Sequence, residues 1–429
     1  MFRKACNLSF PLCFLTSRTS IASQRSYVCQ GQRFLGNGTG RTTFKALGRI
    51  TPKRIAMQRS VVEGSAVVDS SLPRRSIWRP IAFCTAIGGS GYALLALYTN
   101  HDTQKWSDKL AGNSWWRRNV DQPSDNEMTR GKRLEGAKAT QKLLNQLPGT
   151  LSFIPNIILI PILRTYVLAS EFLLNTPAAQ LAPLELIAGM GGIFLAWKVR
   201  RLEPFMKKWF LHRPVIFTHS TKLAWANCVT LLTSTVSHQS FAHFAFNSFA
   251  LFSFGTAAFA FLSSSPSLPS LATSTQSPHF FAFLLLAGLF SSLSSHLYTN
   301  IFRLPGLLRA ISHPARISTP QALAHQAAIL PSLGASGAIY AALTMTACAF
   351  PDSSVGIIFI PFVAIPIGWG VFGMVMVDAI GLIRGWRLFD HVAHLTGALF
   401  GVIYYQYGRE VWAWTRKNLG AQERKASFV

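Results

Sequence analysis

The residues best suited to chemistry in this chain are a serine and two histidines set among glycines. Gly334-Ala335-Ser336-Gly337 follows Pro331 at the head of an apolar stretch, and His391 and His394 stand in Phe389-Asp390-His391-Val392-Ala393-His394-Leu395-Thr396-Gly397. Gly397 and Gly401 fall three and seven residues after His394, so all three share one helix face. Such a strip of small residues lets a second helix approach closely. Gly334 and Gly337 offer the matching groove beside Ser336. If the two strips pack together, a hydroxyl meets an imidazole, the nucleophile and general base of acyl transfer. The serine motif is not a hydrolase elbow, because Ala338 stands where the second glycine belongs and no strand precedes it.

His243 and Asn247 are four residues apart and stack on one helix face. They can donate to a developing oxyanion together with the backbone N–H of Ser336 near a helix N-terminus; interhelical hydrogen bonding is the competing use. Tyr340, one turn after Ser336, is placed to pack on the imidazole of His394. Asp390 reads as a helix cap before it reads as a third catalytic group, and His238, His279, His296 and His325 read as polar packing or loop residues. Ser336, His243 and His394 each fall a few residues into an apolar stretch, which puts all three about 5–8 Å below one membrane face.

These residues must be positioned by membrane helices. The chain has 429 residues, of which only 13% are charged and 49% hydrophobic, with a net charge of +25. A soluble domain carries about 25% charged residues, whereas here Leu223 to Phe302 contains no Asp, Glu, Lys or Arg. This excludes an ordinary soluble enzyme, a disordered tail and a small disulfide scaffold. The six cysteines form no Cys-x-x-Cys pair and no metal-ligand spacing, so neither metal nor cofactor is expected. The basic excess has no polar domain to carry it, which excludes nucleic acid as a partner and leaves targeting and membrane orientation.

Residues 1–70 are rich in Arg and Ser, and Glu63 is the first acidic residue, the pattern of a mitochondrial transit peptide that is removed or disordered. Apolar stretches of spanning length lie near 81–98, 183–199, 240–261, 280–300, 332–350, 355–378 and 389–407. The expected order is an extra N-terminal transmembrane helix within 71–100, a polar linker over 101–182, a six-helix core over 183–408 and a basic tail over 409–429. The segment 151–175 is apolar but interrupted by Pro155, Pro161 and Arg164, and reads as interfacial or re-entrant. If it crossed, every later orientation would flip. With the N-terminus in the matrix, loops 200–222, 303–331 and 379–388 carry Lys and Arg, whereas 262–279 and 351–354 carry none.

Gly-Ala-Ser-Gly-Ala-Ile-Tyr (334–340), Ser-Phe-Ala-His-Phe-Ala-Phe-Asn (240–247) and Phe-Asp-His-Val-Ala-His-Leu-Thr-Gly-Ala-Leu-Phe-Gly (389–401) resemble the signatures of rhomboid intramembrane serine proteases. The N-terminal helix and transit peptide make the chain similar to the mitochondrial, presenilin-associated rhomboid-like branch. The resemblance implies an all-α membrane protein with a six-helix rhomboid core plus one helix. It further implies a Ser336–His394 dyad without an obligatory acid, oxyanion support from His243 and Asn247, and Tyr340 stacked on His394. Implied substrates are single-span membrane proteins of the mitochondrial inner membrane, with roles in mitochondrial dynamics and precursor processing; membrane lipid is the other partner. The alternative is an inactive rhomboid-like protein that binds membrane clients. The sequence departs from the pattern at Thr396, a position often Gly, and in the absence of a Trp-Arg pair between 200 and 222. Loop 262–279 is also long and of low complexity.

Overall fold

Helix boundaries in this chain are set by proline, glycine and short polar caps. The computed structural model describes residues 77–112, 123–215, 221–264, 271–311, 329–357, 360–387 and 389–421. Helix α1 (Trp78–Ala111) has Pro80 in its first turn, where the missing N–H costs nothing, and stops at Gly112 with φ 67°. Helix α2 (Asp125–Thr150) opens on a capping box between Ser124 and Glu127. Helices α3 (Asn156–Asn175) and α4 (Ala178–Lys198) each begin directly after a proline, Pro155 and Pro177. Short helices α5 (Glu203–Trp209) and α6 (Thr221–Thr233) lead to α7 (Phe241–Ser263), whose Ser240 cap accepts from the His243 N–H at 3.2 Å. Helix α8 (Ser277–Tyr298) widens into a π-helical turn at Thr299–Arg303 before α9 (Leu304–Ile311). Helix α10 (Ser336–Ala349), strands β1 (Ser354–Ile357) and β2 (Ile360–Pro366), α11 (Ile367–Arg384) and α12 (His391–Asn418) complete the described chain.

Helix α8 is the centre of the bundle. Its Phe280, Ala282, Phe283 and Ala287 are fully buried, in one cluster with Tyr92 and Ala96 of α1, Ala258 of α7, Ala341 and Met345 of α10 and Tyr404 of α12. Among the described residues six helices are long and apolar enough to cross a membrane: Trp78–Ala111, Asn156–Asn175, Ala178–Lys198, Phe241–Ser263, Ser277–Arg309 and Ile367–Arg384. Helix α10, buried in the middle of the bundle, is shorter than these.

The architecture departs from the sequence expectation in several places. The stretch 355–378 is not one helix: β1 and β2 pair antiparallel, Ser354 opposite Pro366, with a bulge at Gly356/Ile357, and helix begins only at Ile367. Val355, Ile357, Ile360, Val363 and Ile365 are β-branched, and Pro361 and Pro366 disrupt a helical hydrogen-bond ladder. The expected polar linker 101–182 is helical through most of its described length. Within it 156–175 forms a continuous helix with Pro161 inside it, not an interrupted segment. Helix α12 runs unbroken past 409 to Asn418. The transit-peptide reading of 1–70 lies outside the described residues.

Helices α10 and α12 cross through their glycines. A methyl group on Gly397 would overlap the carbonyl of Gly337, and one on Gly401 would overlap the carbonyl of Ala341. One on Gly337 would lie 2.6 Å from Cβ of Ser291 on α8. Absence of side chains at these positions brings the backbones together, and Thr344 Oγ1 then donates across the crossing to the carbonyl of Ala398 at 2.9 Å.

Candidate active site

The glycine crossing sets the height and facing of two side chains. Ser336 is the first residue of α10 and His394 lies in the first turn of α12, whose start is held by Asp390 accepting from the Ala393 N–H at 3.1 Å. Across the crossing Ser336 Oγ and His394 Nε2 are 2.7 Å apart. The ring of Tyr340 stacks on the imidazole, with centroids 4.4 Å apart and planes 12° from parallel. Ser336 is half-buried while His394 is buried, so the hydroxyl is the more accessible end of the pair.

The far side of the imidazole carries a carboxylate that the sequence reading did not single out. His394 Nδ1 lies 3.1 and 3.2 Å from the two carboxylate oxygens of Asp378, on α11. Tyr340 donates its hydroxyl to Asp378 Oδ2 at 2.6 Å, and His391 Nδ1 approaches Oδ1 at 2.6 Å. Asp378 is 2% exposed. An ionised carboxylate only accepts, so His394 donates from Nδ1 and its Nε2 lone pair is left to accept from Ser336. His391 packs so closely on Gly381 that no larger residue fits there. Asp390, by contrast, accepts from Ser295 Oγ at 2.6 Å and caps its own helix.

His243 lies against the backbone just before Ser336. Gly334 has φ 131°, and a Cβ there would fall 2.7 Å from Cε1 and 2.9 Å from Nε2 of the His243 ring. Only glycine combines that dihedral with that approach. The Gly334 N–H donates to the Ser234 carbonyl at 2.8 Å, and His212 and Ser332 exchange both backbone hydrogen bonds, at 3.0 and 2.9 Å. The segment leading to Ser336 is thereby clamped on two sides. The N–H groups of Ser336 and Gly337 open α10, before its intrahelical ladder begins. His238 is fully buried, edge-to-face with His243 at 4.9 Å, and burial followed by the neighbouring His243 pushes its imidazole down to about 4.

The structure thus brings Ser336, His394 and Tyr340 into contact, with His243 beside Gly334. Asn247 is buried one turn further along α7, and its Nδ2 donates to the carbonyl of His243 at 2.9 Å, within its own helix. Gly337, Gly397 and Gly401 act by letting helices touch. His279 lies flat on Trp412 at 4.5 Å and is 3.1 Å from the Tyr404 hydroxyl, and His296 is 3.0 Å from His212. His325 lies outside the described residues. Among the described residues no group of His, Cys, Asp and Glu is arranged to hold a metal ion.

The family model of the rhomboid domain matches residues 226–410, a range that contains Ser336, Asp378 and His394. Over this range the chain is similar to the rhomboid family. Relatives along it include presenilin-associated rhomboid-like protein A, mitochondrial, of Danio rerio, 29% identical over 226 residues, 53% of this chain and 47% of that one. The presenilin-associated rhomboid-like protein, mitochondrial, of Rattus norvegicus is 31% identical over 226 residues, 53% of this chain and 48% of that one. The Homo sapiens protein of the same name is 30% identical over 237 residues, 55% and 51% of the two chains. The chain therefore spans about half the length of the curated relatives it matches. No solved structure matches. These relatives carry mitochondrial names, and among the described residues of this chain six helices are long and apolar enough to cross a membrane.

Proposed function

We propose that this protein is an intramembrane serine endopeptidase that cleaves single-span proteins of the mitochondrial inner membrane. The observation that carries the reading is the 2.7 Å contact between Ser336 Oγ and His394 Nε2, with Asp378 behind the same imidazole. Ser336 Oγ attacks the scissile carbonyl carbon as its proton passes to His394 Nε2. Asp378 stabilises the imidazolium that forms and fixes the tautomer that can accept. The carbonyl oxygen becomes an oxyanion, supported by the Ser336 N–H at the head of α10 and by the His243 ring. The C–N bond then breaks and the leaving amine takes the proton from His394. Water, deprotonated by His394, attacks the acyl-enzyme, and the proton returns to Ser336 Oγ as the acid product leaves.

A helical peptide bond cannot reach Ser336, because its carbonyl is shielded and hydrogen-bonded, so a substrate segment must unwind first. This favours anchors with small or helix-breaking residues near the cut. The physiological setting of this reading is the processing of inner-membrane precursors, with consequences for mitochondrial dynamics; of this, the relatives' names support the mitochondrial location alone.

The test is a comparison of the N-termini of inner-membrane proteins between cells carrying the wild type and Ser336→Ala, together with labelling of the purified protein by a serine-reactive phosphonate. Fragments and labelling that vanish with the hydroxyl support the protease. Unchanged N-termini and no labelling of the wild type would leave a client-binding protein instead.

A further inference from the structure

Helix α3 is 20 residues long and apolar, which is enough to cross a bilayer, yet the places where its two flanks are held exclude a crossing. On α12, Arg416 lies 22 residues beyond His394, about 33 Å along one unbroken helix, and so marks the end of the bundle away from Ser336. At that end Arg416 donates to Asn100 Oδ1 of α1 at 2.8 Å, to Thr273 Oγ1 at 2.7 Å and to the Ala272 carbonyl at 2.8 Å. The Thr273 N–H donates to Asp125 Oδ1 at 2.7 Å, which fixes the first residue of α2 there. Helix α4 begins at the same end: Pro183 packs on Gly255, 12 residues past His243, whereas Trp197 near its other terminus donates to Ser237 at 2.8 Å on the catalytic side.

Between Asp125 and Ala178 the chain must therefore cross the bilayer an even number of times. Helix α2 carries Asp125, Glu127, Arg130, Lys132, Arg133, Glu135, Lys138 and Lys142 and does not cross. Helix α3 then cannot cross alone. It is tied along α2 instead, by Tyr166 donating to the Thr140 carbonyl at 3.1 Å and by Leu174 against Gly136. Leu159 faces inward and is buried, while Ile157, Ile160, Leu168 and Phe172 are exposed. A crossing would also place Arg164 near the bilayer midplane.

We propose that α2 and α3 form an arm lying in the plane of the membrane, on the leaflet away from Ser336, with the apolar side chains of α3 in the acyl layer and the cations of α2 against anionic phospholipid headgroups. The charge of α2 suits such headgroups. Asp125 is occupied by Thr273, Glu127 by the helix cap and Glu135 by Lys109, while Arg130, Arg133, Lys138 and Lys142 are exposed. An apolar helix beside a basic one is the composition of an interfacial anchor.

The test uses the full-length protein, with its cysteines replaced and single nitroxide labels at Ile157, Leu168 and Phe172, in vesicles of phosphatidylcholine with and without cardiolipin. An in-plane arm gives all three labels the same shallow depth. A depth that peaks near Leu168 and falls toward both ends, or labels that contact water only, would overturn the proposal. A label on Gln141 of α2 should be broadened severalfold more by headgroup-nitroxide cardiolipin than by the phosphatidylcholine analogue. Arg133→Glu with Lys138→Glu and Lys142→Glu should abolish that preference, the thermal transition in detergent verifying the fold. Equal broadening by both lipids in the unaltered protein would overturn the headgroup assignment.

Discussion

Asp378 sits behind the imidazole of His394, 3.1 Å from Nδ1, although the two residues belong to different helices. The same carboxylate accepts from the Tyr340 hydroxyl, so Asp378, His394 and the Tyr340 ring stacked on that imidazole form one connected unit.

Replacing Asp378 with Asn keeps the shape of the site and removes the charge. The imidazole loses the partner that holds its accepting tautomer, and kcat should fall by about 10²–10⁴-fold with little change in KM. Steady-state cleavage of a reconstituted single-span substrate reads this; a kcat within severalfold of wild type would show that the dyad works without the acid.

Asp390→Ala separates capping from catalysis. It removes the acceptor of the Ala393 N–H and of Ser295 Oγ, so thermal stability should drop by ~1 kcal/mol. Phosphonate labelling of Ser336 should persist at temperatures where the variant is folded.

Gly397→Ala introduces a methyl group that overlaps the Gly337 carbonyl. The helices must move apart, at a cost of ~1–3 kcal/mol, and the Ser336–His394 hydrogen bond must lengthen. Both the melting temperature and the labelling rate should fall, whereas Gly368→Ala, with open space around it, should leave both near wild type.

His238 provides a pH signature. Its imidazole is held down to about 4 from the usual 6.5, so between those values the unfolded chain binds a proton that the folded chain refuses. Stability is then fully present above about pH 6.5 and declines as pH falls toward 4, by up to ~1.4 kcal/mol per pH unit. Melting temperatures measured from pH 7 to 5 should show a steeper loss for the wild type than for His238→Phe; parallel curves would contradict the shift.

Much of the site was legible in the sequence because its parts have local signatures. Polar residues in an uncharged stretch and glycines at helical spacing pointed to Ser336, His394 and the crossing of their helices. Asp378 escaped through one misplaced boundary. Reading 355–378 as a helix put the aspartate at the membrane edge, where an acid is unremarkable. Once Ser354–Pro366 pairs as strands the helix starts at Ile367, and Asp378 moves inside the bundle. A short apolar run rich in β-branched residues does not declare its period. Spacing put Asn247 on one helix face with His243, but its local bond to the His243 carbonyl is invisible to spacing alone. The apolar run broken by Pro155, Pro161 and Arg164 already suggested an interfacial segment at 151–175, but its pairing with α2 rests on tertiary contacts such as Tyr166 to the Thr140 carbonyl, which no pattern within the segment encodes.

Helix α12 carries His394 in its first turn and Arg416 in its last, with nothing but continuous helix between. Helix α1 grips that far end through Asn100, which donates to the Arg416 carbonyl and accepts from its side chain. The seating of α1 and the position of His394 are thus joined by one stiff rod, which makes the contact between Asn100 and Arg416 a remote support of the imidazole's placement beside Ser336.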